Sequence, residues 1–317
     1  MLTPSPTSDS ARFLHAIEIG LGTWQWGDRF IWQFGHGYDE NEVRQAFFAA
    51  VQDGIRLVDT AEVYGNGRSE RLLGAFLKET EEPILVATKF MPFPWRLSRR
   101  SLLRSLRRSL ERLGLRQVDL YQIHWPFPPV SIETWMEAMV EAVEQGLTRA
   151  VGVSNYNLTQ MMQAYATLQR HGLTLASNQV KYSLLDRRVE KNGLLARCKE
   201  LGVRLIAYSP LEMGLLSGKY GPENLPPGAR GARYRRMLTL LPPLIQRLRE
   251  IGREHAGKSP AQVALNWLIC KGALPIPGAK NATQATQNAG AAGWRLSEDE
   301  IAELDALSDS IAQALER

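Results

Sequence analysis

The sequence predicts an α/β fold, a closed (β/α)8 or TIM barrel formed as a single domain with long loops after strands one and seven. Three observations predict it. Eight short apolar, β-branched runs alternate with eight longer segments whose apolar residues recur at three- and four-residue spacing. That is the pattern of parallel strands joined by right-handed helical crossovers. Asp59, Lys89, His124, Ser154 with Asn155, Gln179, Tyr208 with Ser209, and Gly278 each stand at or just past the C-terminal end of a different strand. In a closed barrel those ends meet at one mouth, whereas in an open sheet they spread along a line too long for one small site. No Gly-x-Gly-x-x-Gly lies between a strand and a helix, which counts against an open dinucleotide-binding sheet.

In chain order, strands are expected at 17–23 (IEIGLGT), 55–60, 84–90, 118–125, 148–155, 175–182, 203–210 and 273–278. Helices are expected at 41–52, 68–78, 98–113, 132–145, 158–169, 192–200, 259–270 and 281–291. Ser98 and Ser259 are N-cap candidates, the latter followed by Pro260 at the first helical position. Gly54, Gly114, Gly146, Gly172, Gly202 and Gly272 each fall between a helix and the next strand, where a left-handed cap is wanted. Two longer segments interrupt the rhythm. One is 24–40. The other, 210–258, carries a basic Gly/Pro-rich stretch (GPENLPPGARGARYRR) and then a helix near 244–255. Loops of this length are usually functional lids or disordered. A last helix near 297–311 packs outside, and a short flexible arm precedes the barrel up to about residue 12.

A chain of 317 residues accommodates one barrel, which takes about 250 residues. The net charge is +5, much of the surplus lying in 96–116. A basic helix face reads as solvated surface, so no nucleic-acid partner is expected, and the surplus suits an anionic cofactor. Cys198 and Cys270 have no metal spacing and read as free thiols. The polar N-terminus lacks the apolar core of a secretory signal, and no window holds 18 consecutive apolar residues. No membrane partner, no metal and a cytoplasmic location are therefore expected. The oligomeric state is not legible.

The chemistry begins with Lys89. A lysine ending the run ILVAT must be paired if it faces a barrel interior, because burying a lone charge is expensive. Asp59 ends another strand in the same way. The two make either a plain salt bridge or a tuning pair for a third group. Tyr64 and His124 favour the second. A phenol with a pKa near 10 is too weak an acid for neutral pH, and a neighbouring ammonium is expected to pull it down. Asp59, Lys89 and Tyr64 thus form a coherent general acid, with His124 as a further donor where a carbonyl oxygen would sit.

The stretch GIRLVDTAEVYGNGRSERLLG (54–74) resembles the signature of the aldo-keto reductase family around its catalytic Asp and Tyr. TKF (88–90) and YQIHWP (121–126) resemble the strands carrying the catalytic Lys and His. VGVSNY (151–156), NQVKYS (178–183), AYSPL (207–211) and PIPGAKN (275–281) resemble the cofactor-binding strand ends in order. The resemblance runs from about residue 19 to 288. It implies a barrel that reduces small-molecule carbonyl substrates with NADPH, or with NADH. Tyr64 would donate the proton, tuned by Lys89 and Asp59, with His124 orienting the carbonyl. Ser154, Asn155 and Gln179 would bind the nicotinamide carboxamide and Tyr208 would stack on its ring. Ser209, Pro210, Leu211 and Gly278 would line the pyrophosphate path, and Gly22, Thr23 and Trp24 would touch the cofactor from the first strand. Lys280, Gln284 and Asn288 would hold the adenosine end. Trp24, Phe93, Trp95 and Trp125 would form an aromatic substrate wall.

One branch of that family carries Lys-Ser and a later Arg in the last motif, where this chain has Gly278, Ala279 and Gln284. The pattern is closer to the branch of potassium-channel β-subunits and many bacterial and plant reductases, and Lys280 can replace the lost charges on a 2′-phosphate. Around 20–37 the chain resembles plant and cyanobacterial reductases, some of which act on pyridoxal. Two other readings compete: a Schiff-base lyase using Lys89, and a non-catalytic or redox-sensing cofactor-binding subunit.

Overall fold

A computed structural model describes residues 12–226 and 229–316. The expected N-terminal arm lies almost wholly outside them. Eight parallel strands, β1 (Leu21–Gly22), β2 (Leu57–Asp59), β3 (Leu85–Phe90), β4 (Val118–Ile123), β5 (Thr148–Ser154), β6 (Leu175–Lys181), β7 (Arg204–Tyr208) and β8 (Leu274–Pro275), pair in sequence order. The sheet closes on itself. Gly20 and Gly22 donate their backbone N–H groups to Pro275 O and Pro277 O, both at 3.0 Å, and Gly22 bridges to Gly278. The fold is the expected (β/α)8 barrel.

The helices are α1 (Glu40–Gln52), α2 (Arg68–Leu77), α3 (Arg99–Leu113), α4 (Ile132–Glu144), α5 (Leu158–Arg170), α6 (Arg188–Lys191), α7 (Leu194–Leu201), α8 (Ala229–Leu240), α9 (Pro242–Glu254), α10 (Pro260–Cys270), α11 (Ala282–Ala289) and α12 (Glu298–Glu316). The six inter-element glycines all take the left-handed conformation, with φ from 67° to 90°. Ser259 forms a capping box with Gln262. Ser98 occupies the N-cap position, yet its hydroxyl accepts no amide; its carbonyl instead takes both the N–H and the hydroxyl of Ser101.

Leu14, in the 3₁₀ turn Arg12–Ala16, plugs the bottom of the barrel against Leu57, Ala87, Leu120, Ala150 and Ile206. A strand's side chains repeat with period two, so Asp59, Lys89, Gln122 and Tyr208 stand one layer above Leu57, Ala87, Leu120 and Ile206, at the mouth. A fully apolar lower layer thus supports a polar upper one.

Several boundaries differ from expectation. β1 and β8 are two residues long rather than seven and six, because Pro275 and Pro277 lack the N–H a longer ladder needs. The helix expected at 192–200 starts two residues later, as α7 after the left-handed Gly193, and the unexpected short α6 precedes it. The segment expected as a loop after the seventh strand contains a 3₁₀ turn (Glu212–Ser217) and α8, which neighbours α12. Of the basic stretch, Pro227 and Gly228 fall outside the described residues. Among the described residues no helix is long and apolar enough to cross a membrane.

Candidate active site

The mouth is organised around one buried ion pair. The Lys89 and Asp59 side chains are 0% and 3% exposed. Lys89 Nζ donates to Asp59 Oδ1, to Thr60 O at 2.8 Å and to the Tyr64 hydroxyl at 3.2 Å. All three ammonium hydrogens are therefore placed. Asp59 Oδ2 accepts from Gln179 Nε2 at 2.8 Å and Gln122 Nε2 at 3.2 Å. Such saturation is what makes a buried pair tolerable. Burial works against the Lys89 charge, but Asp59 and Tyr64 outweigh it and hold the amine above its ordinary pKa.

Tyr64 heads a tight turn in which Gly65, Asn66 and Gly67 all have positive φ. Gly65 is required there twice over, since a Cβ on it would lie 2.6 Å from Gly27 O. The phenol is not brought below its ordinary pKa, as the sequence led us to expect. Burial pushes it up, Lys89 pulls against that, and Asp59 adds to the rise, for a net increase. The reason is first the loss of water around the phenol, which the nearby Lys89 charge, itself paired with Asp59, does not offset.

His124 is the first residue past β4. Its N–H donates to Phe90 O and its carbonyl accepts from Asn155 Nδ2 at 3.0 Å, so its backbone is fixed on both sides. Burial, helped by Lys89, lowers the imidazole pKa to about 3. The ring is neutral at physiological pH, and one of its nitrogens carries a proton to donate. It meets Tyr64 edge-on with centroids 5.8 Å apart, and its buried Nδ1 has no hydrogen-bond partner among the described residues.

Asn155, at φ 62°, links three strand ends. Its amide reaches His124 O and Ser154 Oγ, and its Oδ1 accepts the Tyr208 hydroxyl at 2.9 Å. Ser154 Oγ donates to Gln179 O. The Gln179 amide nitrogen, expected to serve a ligand, is instead engaged by Asp59.

A cavity of about 870 Å³ opens above this layer. Asp59, Tyr64 and His124 line it, with Lys89 buried behind them. So do all the residues expected to hold the cofactor: Gly22, Thr23, Trp24, Ser154, Asn155, Gln179, Tyr208, Ser209, Pro210, Leu211, Gly278, Lys280, Gln284 and Asn288. At the far end Gln284 Oε1 accepts Lys280 N at 3.0 Å and Asn288 Nδ2 donates to Gly278 O at 3.2 Å. These contacts brace the loop after β8. The sequence reading missed Gln25, Trp32, Met91 and Lys219, which also line the cavity. Lys219 follows a glycine in GLLSGKYG, a signal lost because the whole segment read as loop.

The expected aromatic wall needs correction. Trp24 and Trp125 line the cavity; Phe93 and Trp95 do not. Phe93 stacks on Trp95 at 4.7 Å and 5°, and Arg96 lies 5.2 Å from the Phe93 ring. Glu62 fixes that guanidinium from the Tyr64 side, so the stack stands outside the mouth and Trp95 is 73% exposed. Met91 takes the inner position. Among the described residues no group of three or more His, Cys, Asp or Glu could hold a metal.

Comparison with known proteins agrees with this geometry. The chain is 42% identical over 305 residues to the chloroplastic pyridoxal reductase of Arabidopsis thaliana, covering 92% of this chain and 83% of that one. A crystal structure of a thermostable aldo-keto reductase with the inhibitor epalrestat superposes with TM-score 0.75 at 34% identity, covering 92% and 94% of the two chains. An aldo-keto reductase from Klebsiella pneumoniae in complex with NADPH superposes with TM-score 0.70 at 28% identity, covering 92% and 90%. The model of the aldo/keto reductase family matches residues 18–309, and the barrel with its ordered strand-end residues lies within that span, so the chain is an oxidoreductase-type barrel that belongs to the aldo/keto reductase family.

Proposed function

We propose that the protein is an NADPH-dependent reductase that converts aldehydes or ketones to alcohols, with Tyr64 as proton donor. One observation carries this reading: the Tyr64 hydroxyl lies 3.2 Å from a buried, ion-paired ammonium and beside a neutral imidazole, at the wall of a large cavity. The raised pKa leaves Tyr64 protonated at neutral pH, as an unshifted phenol would also be, and makes it a weaker acid; the Lys89 ammonium beside it would stabilise the phenolate that donation leaves behind.

The residues present fit a nicotinamide dinucleotide. The cavity wall is bare backbone at Gly22 and Gly278, with Lys219 and Lys280 farther along and the orphaned Gln25 Oε1 also buried at the cavity. When bound, that cofactor supplies the hydride. Ser154 and Asn155 would orient the carboxamide together with the Gln179 carbonyl, its amide being held by Asp59. Tyr208 offers a ring face for stacking, and Ser209, Pro210 and Leu211 border the pyrophosphate path. Lys280 would meet the 2′-phosphate in a charge-assisted hydrogen bond. NADH would use the same path without that contact.

On the substrate side Trp24, Val63, Met91 and Trp125 are apolar, which suits a planar or apolar aldehyde. Likeness to a pyridoxal reductase makes pyridoxal the first substrate to try. That relative is named as chloroplastic; for this chain a cytoplasmic location is the expectation of the sequence alone. A Schiff-base role for Lys89 is disfavoured because its amine stays charged and fully buried, and borohydride should trap nothing on it. A non-catalytic subunit would have no need of the assembled Asp59, Tyr64, Lys89 and His124. The test is Tyr64→Phe, which keeps the ring. It should bind NADPH normally and lose about 10²-fold or more of aldehyde reduction. Reduction near the wild-type rate would remove Tyr64 as the acid.

A further inference from the structure

We propose that the long segment after β1 is a cofactor-selectivity element, in which Trp32 and Tyr38 cradle the Lys280 ammonium and hold it ready for the 2′-phosphate of NADPH. The inference rests on the reading of this cavity as a nicotinamide dinucleotide site.

Lys280 Nζ lies 4.9 Å from the Trp32 ring centroid and 4.4 Å from that of Tyr38, within cation–π range of both. The two rings are buried and held independently of Lys280. The Tyr38 hydroxyl donates to Gln25 O at 2.7 Å, and its ring meets Phe34 edge-on at 5.5 Å. Trp32 meets Trp24 edge-on at 5.5 Å. Asp28 Oδ1 accepts the backbone N–H groups of Phe30, Ile31 and Trp32, which closes the turn that presents Trp32. Burial, with Asp28 nearby, pushes the Tyr38 phenol well up, so Lys280 faces a neutral ring rather than a phenolate.

Chemistry explains why rings suit this place. A lysine on a four-carbon stem loses rotamer freedom when it docks an anion. Aromatic faces attract the cation and leave its charge in place. The last motif offers one lysine where another branch of the family has a Lys and an Arg, so preorganisation of that lysine is a direct way to recover affinity. The location agrees: β1 and β8 are neighbours across the barrel closure, so the segment leaving β1 passes over the loop that carries Lys280, and Trp32 and Lys280 line the same cavity.

The test is calorimetric titration of the full-length protein with NADPH and with NADH, comparing wild type, Lys280→Met, Trp32→Leu, Tyr38→Leu and the Lys280→Met/Trp32→Leu pair. Trp32→Leu should raise the NADPH dissociation constant about three- to tenfold and leave that of NADH within about twofold. In the Lys280→Met background the same change should have no further effect on NADPH, because the two act as one unit. Should Trp32→Leu not fold, Tyr38→Leu carries the same expectation. Equal losses for both cofactors in Trp32→Leu would mean that the rings serve the adenine or the fold, and would overturn the proposal, as would no loss at all. If Lys280→Met is selective for NADPH but both ring variants are silent, the cradle alone fails. If Lys280→Met weakens both cofactors equally or neither, the assignment of Lys280 to the 2′-phosphate fails with it.

Discussion

Tyr64 and His124 face the same cavity with opposite electrostatic histories. Burial moves the phenol up and the imidazole down to about 3, so both are uncharged through the physiological range. The sign of the pH dependence follows. Proton donation from Tyr64 is lost only when the phenol ionises, which lies above its ordinary value near 10. His124 changes charge only far below neutrality. The turnover number for aldehyde reduction should therefore be level from about pH 6 to 9 and fall only above about pH 10. Steady-state rates at saturating NADPH and aldehyde from about pH 6 to 11 provide the check. A break near 6.5 that disappears in His124→Gln would show that the imidazole titrates in the working range. The identity of these residues was legible because a lysine and an aspartate ending apolar strands have few places to go. The direction of the Tyr64 shift was not. It depends first on how deeply the phenol is buried, with Lys89 pulling against that rise and Asp59 adding to it, and depth of burial is not written in the sequence.

Between strands and loops, Glu62 does the joining. It sits two residues before Tyr64, and its side chain is 7% exposed. Oε1 accepts Met91 N at 2.7 Å and Arg96 Nη1 at 2.5 Å; Oε2 accepts Arg96 Nη2 at 3.2 Å and the Ser105 hydroxyl on α3. The turn bearing the acid is thereby tied to the loop that places Met91 in the cavity wall. Glu62→Gln keeps the shape but removes the charge and one acceptor oxygen. It should destabilise the fold by about 1–3 kcal/mol and raise the KM for aldehyde more than the Kd for NADPH. A thermal melt with paired KM and Kd measurements decides it; an unchanged melt would show that Arg96 and Met91 hold their places without the carboxylate. This contact also explains the misplacement of Phe93 and Trp95. Their position after a strand end was readable, but which way the rings turn is set by Arg96 and by a carboxylate 34 residues away in sequence from it. Helix α8 escaped notice for a different reason: it lies in a Gly/Pro-rich stretch whose composition reads as loop, while packing beside α12 supplies what propensity lacks. The strands and the other long helices were legible because periodicity and local caps agree in them.

At the scale of the whole barrel, the closure between β1 and β8 is where fold and cavity share the same residues. Gly22 and Gly278 bridge the two strands, and both line the cavity. A Cβ on Gly22 would lie 2.7 Å from the carbonyl oxygen of Ile276, which is backbone and lies between Pro275 and Pro277, whose carbonyls close the ladder. The three atoms nearest a Cβ on Gly278 all belong to the end of the Gln25 side chain, at 1.8 to 2.3 Å, so that flexible amide rather than backbone must move. The two alanine variants should therefore separate. Gly22→Ala must push β1 from β8 and should cost about 1–3 kcal/mol, lowering Tm by several degrees. Gly278→Ala should leave Tm within about one degree of wild type. Its methyl group and the displaced Gln25 amide would instead intrude on the pyrophosphate path, so the dissociation constants for NADPH and NADH should rise together. Differential scanning calorimetry and cofactor titration on the same two proteins make the comparison. Equal melting temperatures would show that the barrel closes with slack at Gly22. A stable Gly278→Ala variant with wild-type affinity for both cofactors would place the pyrophosphate path away from the end of β8.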